Sequence, residues 1–217
     1  MAMFSGSLGK GKKNSGPFKI GLTGGIGAGK SLVLSMLSKH GVPILQSDLL
    51  GHELLRSKKI VFLLVKKIGK SILDRRGRID RQKLGNEIFQ DPRKRKILNR
   101  ILHPLIRQAV TKWVLAQQRR GFPLVVVEVP LLFEGGFYRW FDGVLSVSAS
   151  RSIRRKRLLR RGWNLSEILK RERSQWTQTR KDHMSDWVIL NQGSQKDLKK
   201  NVKAWIQKIQ LFVKSPK

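Results

Sequence analysis

Five short apolar runs punctuate the chain: "FKIGLT" at Phe18–Thr23, "VPILQ" at Val42–Gln46, "LVVVEVP" at Leu124–Pro130, "GVLSVS" at Gly143–Ser148 and "WVIL" at Trp187–Leu190. Runs of this length and composition read as strands buried on both faces, the situation of a parallel sheet. Between them the apolar period changes to that of helices. "KSLVLSMLSKHG" carries Leu34, Leu37 and a closing Gly41, a helix with a glycine stop. "DPRKRKILNRILHPLIRQAVTKWVLAQQ" opens with Asp91 as N-cap and Pro92 in the first turn, and repeats Leu98, Ile101, Leu105, Ala109 and Trp113 as a helix bent at Pro104. Leu198, Val202, Trp205, Ile209 and Phe212 line one face of a final helix that should pack on the sheet. Strands alternating with helices predict an α/β fold with a doubly wound, parallel, five-stranded sheet. Residues 47–123 have little strand character and are too long for a connector, so they predict a helical substrate-side subdomain. Ligands in such sheets sit beyond the carboxyl ends of the strands, which gathers Gly24–Ser31, Asp48, Pro130 and Asn191 at one edge.

The stretch after the first run, "GLTGGIGAGKS" from Gly21 to Ser31, spaces Gly24, Gly29, Lys30 and Ser31 as a phosphate-binding loop between strand and helix. Glycines let consecutive N–H groups turn inward on phosphate oxygens, and the following helix adds its partly positive N-terminus. Lys30 then reaches the β- and γ-phosphates, and the Ser31 hydroxyl takes a place on a magnesium ion. The bland alternative is a glycine-rich surface turn; the strand before and the helix after argue against it.

Charge changes the picture next. Lys and Arg number 46 against 14 acids, a net +32 over 217 residues, and the first acid in the chain is Asp48. Such a balance favours polyanions, whether nucleic acid, anionic membrane or multiply phosphorylated small molecules; a compositional bias that leaves lysines on solvated faces explains it equally. The length suits one sizeable domain or a core with insertions. Cysteine is absent, which removes disulfides and thiolate metal sites and makes the reducing cytoplasm the default. No run approaches a membrane span. The acid-free opening, residues 1–17, reads as a disordered basic tail or cloning remnant, with an organelle-targeting segment as the other reading.

Taken together, "IGLTGGIGAGKS", the "GVPILQSD" ending at Asp48, "RIDRQKLGNEIFQDPRKRKILNRILHPLIR", "VVVEVPLLFEGG", "RLLRRG" and "DWVILNQGS" resemble the dephospho-CoA kinase family, from about Phe18 to Ser194. The loop alone fits many nucleotide enzymes; "ILHPLIR" and "VPLLFE" at their distances make the resemblance specific. It implies a P-loop NTPase-type kinase with a core (18–48, 122–149 and 185–217), a helical CoA-binding subdomain (49–121) and a lid (150–184). The implied reaction moves the γ-phosphate of ATP to the ribose 3′-hydroxyl of dephospho-CoA with Mg2+, in a cytoplasmic monomer. Gly25, Ile26, Gly27, Ala28, Gly29, Lys30, Ser31 and Leu32 would hold ATP. Asp48 matches the catalytic aspartate that accepts the hydroxyl proton, though the N-cap of the helix at "LLGHELL" is also open to it. Glu128, with Ser31, falls at the metal. His103 and Leu131 face the substrate, His103 being equally readable as a structural histidine. Arg157 and Arg161 match the lid arginines; with Arg154 they share a helix face, and the other basic residues of "SRSIRRKRLLRRG" read as solvated surface. Asn191 and Gln192 match the loop that edges the adenine.

Four positions depart from the family pattern: Leu32 replaces a threonine, Gln46 an aspartate, and Gly162 and Leu190 an acid each. Ser31 and Asp48 are retained, which predicts an active enzyme.

If the charge serves ATP and dephospho-CoA, the contacts that count are few and enclosed, and a Debye length of about 8 Å at physiological salt weakens them little. KM for dephospho-CoA should therefore rise only modestly between low and physiological salt. DNA or RNA should bind weakly, without sequence preference and without stimulating ATP turnover, and reversing the charge of Lys199 and Lys203 should abolish that binding while sparing the kinase. Steady-state kinetics and filter binding across a salt series check this; a steep salt slope in kinase activity is the contrary result.

Overall fold

The apolar runs form strands β1 (Phe18–Thr23), β2 (Ile44–Gln46), β3 (Leu124–Glu128), β4 (Gly143–Ser148) and β5 (Trp187–Leu190), joined in the order β2-β3-β1-β4-β5. This computed structural model describes residues 16–214, so residues 1–15 of the expected tail lie outside the described part. β1 pairs in parallel with β3, Leu22 opposite Glu128, and with β4, Leu22 opposite Leu145; β4 pairs in parallel with β5. Every residue of β3 and β4 is buried, which is why their sequences carry no charged residue before Glu128. β2 is shorter than the apolar run because Pro43 has no N–H to give a ladder; its carbonyl still accepts from Val126 at 3.0 Å.

Nine α-helices lie among the described residues: α1 (Lys30–Lys39), α2 (Ser47–Leu54), α3 (Lys58–Ile68), α4 (Arg81–Gln90), α5 (Pro92–Arg119), α6 (Arg151–Leu159), α7 (Leu165–Arg173), α8 (Gln178–His183) and α9 (Gln195–Lys214). The chain divides into two compact units, Met1–Leu45 with Val114–Lys217, and Gln46–Trp113.

The first unit holds the sheet. Ile20, Leu22, Val126, Leu145 and Ile189 pack with Leu34 and Leu37 of α1 and with Leu198, Val202, Trp205 and Ile209 of α9. The α9 stripe is the one its sequence period predicts, and Phe212 adds an edge-to-face contact to Phe18 at 5.6 Å. Two acids tie the amino ends of the strands. Asp142 accepts the Lys19 N–H of β1 at 2.8 Å, and Asp186 accepts the Val144 N–H of β4 at 2.8 Å. Each lies just before its own strand and satisfies a donor on the neighbouring one.

The second unit has its own core, Ile60, Leu64, Ile68, Ile72, Leu84, Leu98 and Leu102. A turn absent from the sequence reading reverses the chain after Leu73: Asp74 Oδ1 accepts from the Arg76 and Arg78 amides, both at 2.9 Å, and Gly77 takes φ 71°. Asp80 caps α4 through the Gln82 and Lys83 amides. Asp91 caps α5 as expected, accepting from Arg93 N–H at 2.7 Å. α5 continues through Pro104 to Arg119 as one helix. Its most buried residues are Leu98, Leu102 and Val110; the expected Ile101 and Leu105 are half-buried and pack against the same core, so the buried face is the expected one but wider.

Trp205 is 1% exposed, packs edge-on to Trp187 at 6.4 Å, and buries an indole N–H that has no hydrogen-bond partner. Trp205→Ala should therefore cost about 3–5 kcal/mol. Trp205→Phe keeps an aromatic ring and removes the unpaired donor, so its cost should stay within about 1 kcal/mol. Equilibrium urea denaturation of both variants checks the difference.

Candidate active site

β1 ends at Thr23, and the chain turns through Gly24 (φ 147°), Gly27 (φ 78°) and Gly29 (φ 96°) before α1 begins at Lys30. Neighbours force the glycine here. A Cβ on Gly24 would strike the Val147 carbonyl, and one on Gly29 would strike the Asn191 amide. The loop is thus pressed against the carboxyl ends of β4 and β5. Lys30 folds back over it, donating to the Gly24 and Gly25 carbonyls at 3.1 and 3.4 Å. The Ser31 side chain is exposed in the first turn of α1, while Leu32 packs its side chain on the core and gives its N–H to the Gly29 carbonyl.

Asn191 is buried beneath this turn. Its amide nitrogen donates to the Ala28 carbonyl at 2.8 Å, and its main-chain and side-chain oxygens accept from Arg157 Nη2 at 3.0 and 3.1 Å. Arg157 also reaches the Ala28 carbonyl at 3.4 Å, and burial, then repulsion from Arg161, pushes its guanidinium below its ordinary value. Gln192 is exposed beside it.

The arginine-rich segment departs from expectation. α6 ends at Leu159, and Arg161 lies beyond it, exposed, so it does not share a helix face with Arg154. The cause is Gly162 at φ 81°, where Trp163 N–H bonds the Leu158 carbonyl and Gly162 N–H the Leu159 carbonyl, a glycine-terminated helix end. Of the other basic residues Lys156 and Arg160 are exposed as expected, but Arg151 and Arg155 are tied to an acid. Arg154 is buried and donates to the Ala149 and Ile26 carbonyls at 3.2 and 3.1 Å. Arg151 and Arg155 both bond Oε2 of Glu172 on α7, at 3.2 and 2.8 Å, and Arg154 stands 3.7 Å from Oε1.

Asp48 also departs from one of its readings. β2 runs straight into α2, with Gln46 at the cap position, so Asp48 is an exposed residue of the first helical turn and does not cap the helix. A carboxylate there favours the helix N-terminus electrostatically. In the same unit His103 is half-buried on α5, and burial pushes its imidazole below its ordinary value. Leu131, just after β3, is 44% exposed, and Glu128, the last residue of β3, is buried.

Among the described residues no group of three or more His, Asp or Glu side chains gathers to hold a metal. The Ser31 hydroxyl and the Glu128 carboxylate remain, on elements that follow or form the adjacent strands β1 and β3. That donor set fits Mg2+, which keeps water and phosphate oxygens and takes few ligands from protein.

α8 was not singled out by sequence. Gln178 accepts the Gly25 N–H at 2.8 Å; Lys181, fully buried, donates to the Pro130 carbonyl at 2.8 Å and pairs with Glu134 at 3.0 Å; Asp182 accepts the Ser146 and Ser148 hydroxyls, each at 2.6 Å. Burial pushes the Lys181 ammonium down from its ordinary value against the pull of Glu134. Glu134 Oε1 further accepts the Trp176 N–H at 2.8 Å, and Trp176 stacks on Phe133 at 5.7 Å. One signal was available: Ser146 and Ser148, two apart in an otherwise apolar strand, point to one face and call for a polar partner. A cavity of about 540 Å³ opens beside the loop, walled by Gly25, Ile26, Arg154, Glu172, Gln178 and Gln192 among others, a size that suits a small-molecule ligand.

The sequence pattern of dephospho-CoA kinase matches residues 18–197. A dephospho-CoA kinase of Geobacillus kaustophilus is 37% identical over 85% of this chain and 93% of its own. Among solved structures, a Thermus thermophilus protein superposes with a TM-score of 0.78 at 35% identity, covering 89% of this chain and 98% of its own. A dephospho-CoA kinase from Campylobacter jejuni gives 0.65 at 25% identity, covering 88% and 96%.

Glu172 yields a pH-dependent test. Burial raises its carboxyl, but hydrogen bonds from Arg155 and Arg151 outweigh this and hold it below its ordinary value. A carboxyl depressed by folding stabilises above its unfolded pKa, and that contribution is lost as pH falls through the folded value. Glu172→Gln should therefore cost about 2 kcal/mol at pH 7. The gap to the parent should close as pH drops below about 4.3, which denaturation series across pH measure.

Proposed function

The chain belongs to the dephospho-CoA kinase family, and from this we propose that it phosphorylates the ribose 3′-hydroxyl of dephospho-CoA with ATP, giving coenzyme A and ADP. The observation that carries the reading is the glycine turn Gly24–Ser31, backed by buried Asn191 and half-buried Arg157, within a match that spans nearly the whole chain.

The chemistry follows from the groups at hand. The loop amides from Ile26 to Ser31 cradle the β- and γ-phosphates, and Lys30 leaves the Gly24 and Gly25 carbonyls to neutralise them. Arg157 and Arg161 meet the negative charge on the transferring phosphoryl oxygens. The 3′-oxygen bonds to the γ-phosphorus as the bond from that phosphorus to the β–γ bridging oxygen breaks. ADP leaves, and the hydroxyl proton passes to the Asp48 carboxylate. Ser31 and Glu128 would hold Mg2+, which supplies charge neutralisation across the β- and γ-phosphates. Leu32 contributes through its main chain, and Asn191 acts chiefly by bracing Ala28 and Gly29 from below. Residues 49–121, with His103, and Leu131 receive dephospho-CoA; residues 150–184 form the lid. We read the enzyme as a cytoplasmic monomer acting on small molecules.

Two other readings, a polyanion-driven P-loop ATPase and a kinase for another nucleoside or nucleotide, have no relative among the matches above to support them.

A coupled assay of ADP release, with ATP and magnesium against dephospho-CoA, adenosine, AMP and shikimate, should respond to dephospho-CoA alone. Lys30→Ala should keep the fold and lose at least about 100-fold in kcat. Asp48→Asn should bind ATP as the parent does and lose about 100-fold or more in kcat, because an amide cannot take the proton. An unchanged kcat with a lowered melting temperature would leave Asp48 a purely structural part of α2.

A further inference from the structure

Gly25 sits between two side chains from far along the chain. On one flank its N–H donates to Gln178 Oε1 at 2.8 Å, across 153 residues. On the other, Arg154 Nη1 donates to the Ile26 carbonyl at 3.1 Å. A Cβ at position 25 would press on the Arg154 guanidinium and the Gln178 oxygen, at 2.9 Å from each. The Gly24–Gly25 peptide of the phosphate-binding turn is thereby gripped by its amide, and the Ile26–Gly27 peptide, two further on, by its carbonyl.

An amide side chain can present either end, and here a carboxylate decides which. Gln178 Nε2 donates to Asp182 Oδ1 at 2.7 Å, to Ser146 Oγ at 3.2 Å and to the Val147 carbonyl at 3.3 Å. Asp182 can only accept, so the amide nitrogen must face it and the oxygen must face Gly25. Asp182 is itself held by the Ser146 and Ser148 hydroxyls. One residue before it, Lys181 pins α8 to Pro130 and Glu134. The order of command runs from β4, through Asp182, to Gln178, to the peptide that precedes the phosphate cradle.

We propose that Gln178, oriented by Asp182, is a positioning residue that sets the first peptide of the loop and so tunes nucleotide affinity. Between this peptide and the amides that follow stand Gly25, which has no side chain to hold it, and Ile26, whose carbonyl Arg154 fixes, so the Gln178 contact sets how the N–H groups that meet phosphate are turned. The inference rests on the reading of the loop as the nucleotide site.

The test is ADP binding by calorimetry, without second substrate, on the full chain. Gln178→Met keeps the length of the side chain and removes both acceptor and donors. Its Kd for ADP and KM for ATP should rise about five- to tenfold, the scale of one net hydrogen bond, with KM for dephospho-CoA unchanged. Asp182→Asn can offer an NH2 to Gln178 and lets the amide turn over, so its Kd should rise about threefold. The double variant should be no weaker than Gln178→Met alone, since both changes act through one contact. An unchanged ADP Kd in Gln178→Met, additive effects in the double variant, or an equal rise in KM for dephospho-CoA would overturn the proposal. Should Gln178→Met lose its cooperative thermal transition, Asp182→Asn decides on the same ADP measurement. A parent chain that fails to bind ADP sinks the nucleotide reading itself; a parent that binds beside a variant that binds equally well sinks only the positioning role.

Discussion

Between β1 and α1 the main chain lies so close to the ends of β4 and β5 that no side chain fits at Gly24 or Gly29. Most of the polar architecture of the first unit is organised around that close approach. Val147 and Asn191, which set it, belong to a strand and a strand end placed by parallel pairing with β1, directly for β4 and through β4 for β5. The loop is therefore part of the sheet edge, and not a free connector laid over it. Arg157, Arg154 and Gln178 then satisfy carbonyls and an amide that the tight turn leaves pointing away from any ladder.

Polar burial in this unit comes in closed sets. Asp182 with its two serines and Gln178, Lys181 with Glu134 and Pro130, and Glu172 with Arg151 and Arg155 each match donors to acceptors at short range. In each of the last two sets one carboxylate oxygen accepts no hydrogen bond, Glu134 Oε2 and Glu172 Oε1, the latter facing Arg154 at 3.7 Å. Removing one partner strands a buried charge, which costs more than the pair itself contributes.

The strands, their order of appearance and the face of α9 were legible because burial on one or both sides imposes a period on the apolar residues. So was the glycine turn, because its backbone angles admit few residue types. The stripe of α5 was read on the right face but too narrowly, since Ile97, Leu102 and Ile106 beside Leu98, Ile101 and Leu105 also meet the core. What could not be read was α8 and the Glu172 cluster. Hydrogen bonds such as Gly25 to Gln178 join residues 153 apart and leave no periodic trace. The arginines around Glu172 look like a solvated basic run until the acid that gathers them is seen. Arg161 was misplaced for a local reason: Gly162 ends the helix before the face can continue.

The scarcity of acids gives the strand ties and caps a wider meaning. Of 14 acidic residues, most are engaged internally: Asp142 and Asp186 at strand starts, Asp80, Asp91 and Asp197 at helix starts, Asp74 in a turn, Glu87 with Ser71 and Lys94, and Glu134, Glu172 and Asp182 in buried sets. The 46 basic residues, by contrast, include many on open surface such as Lys196, Lys199 and Lys203. Drift in sequence is then lopsided. Lysines can come and go over much of the exterior with little consequence, whereas the carboxylates are sparse, unduplicated joints, and a lineage could become still more basic without disturbing the fold so long as those few positions stay fixed.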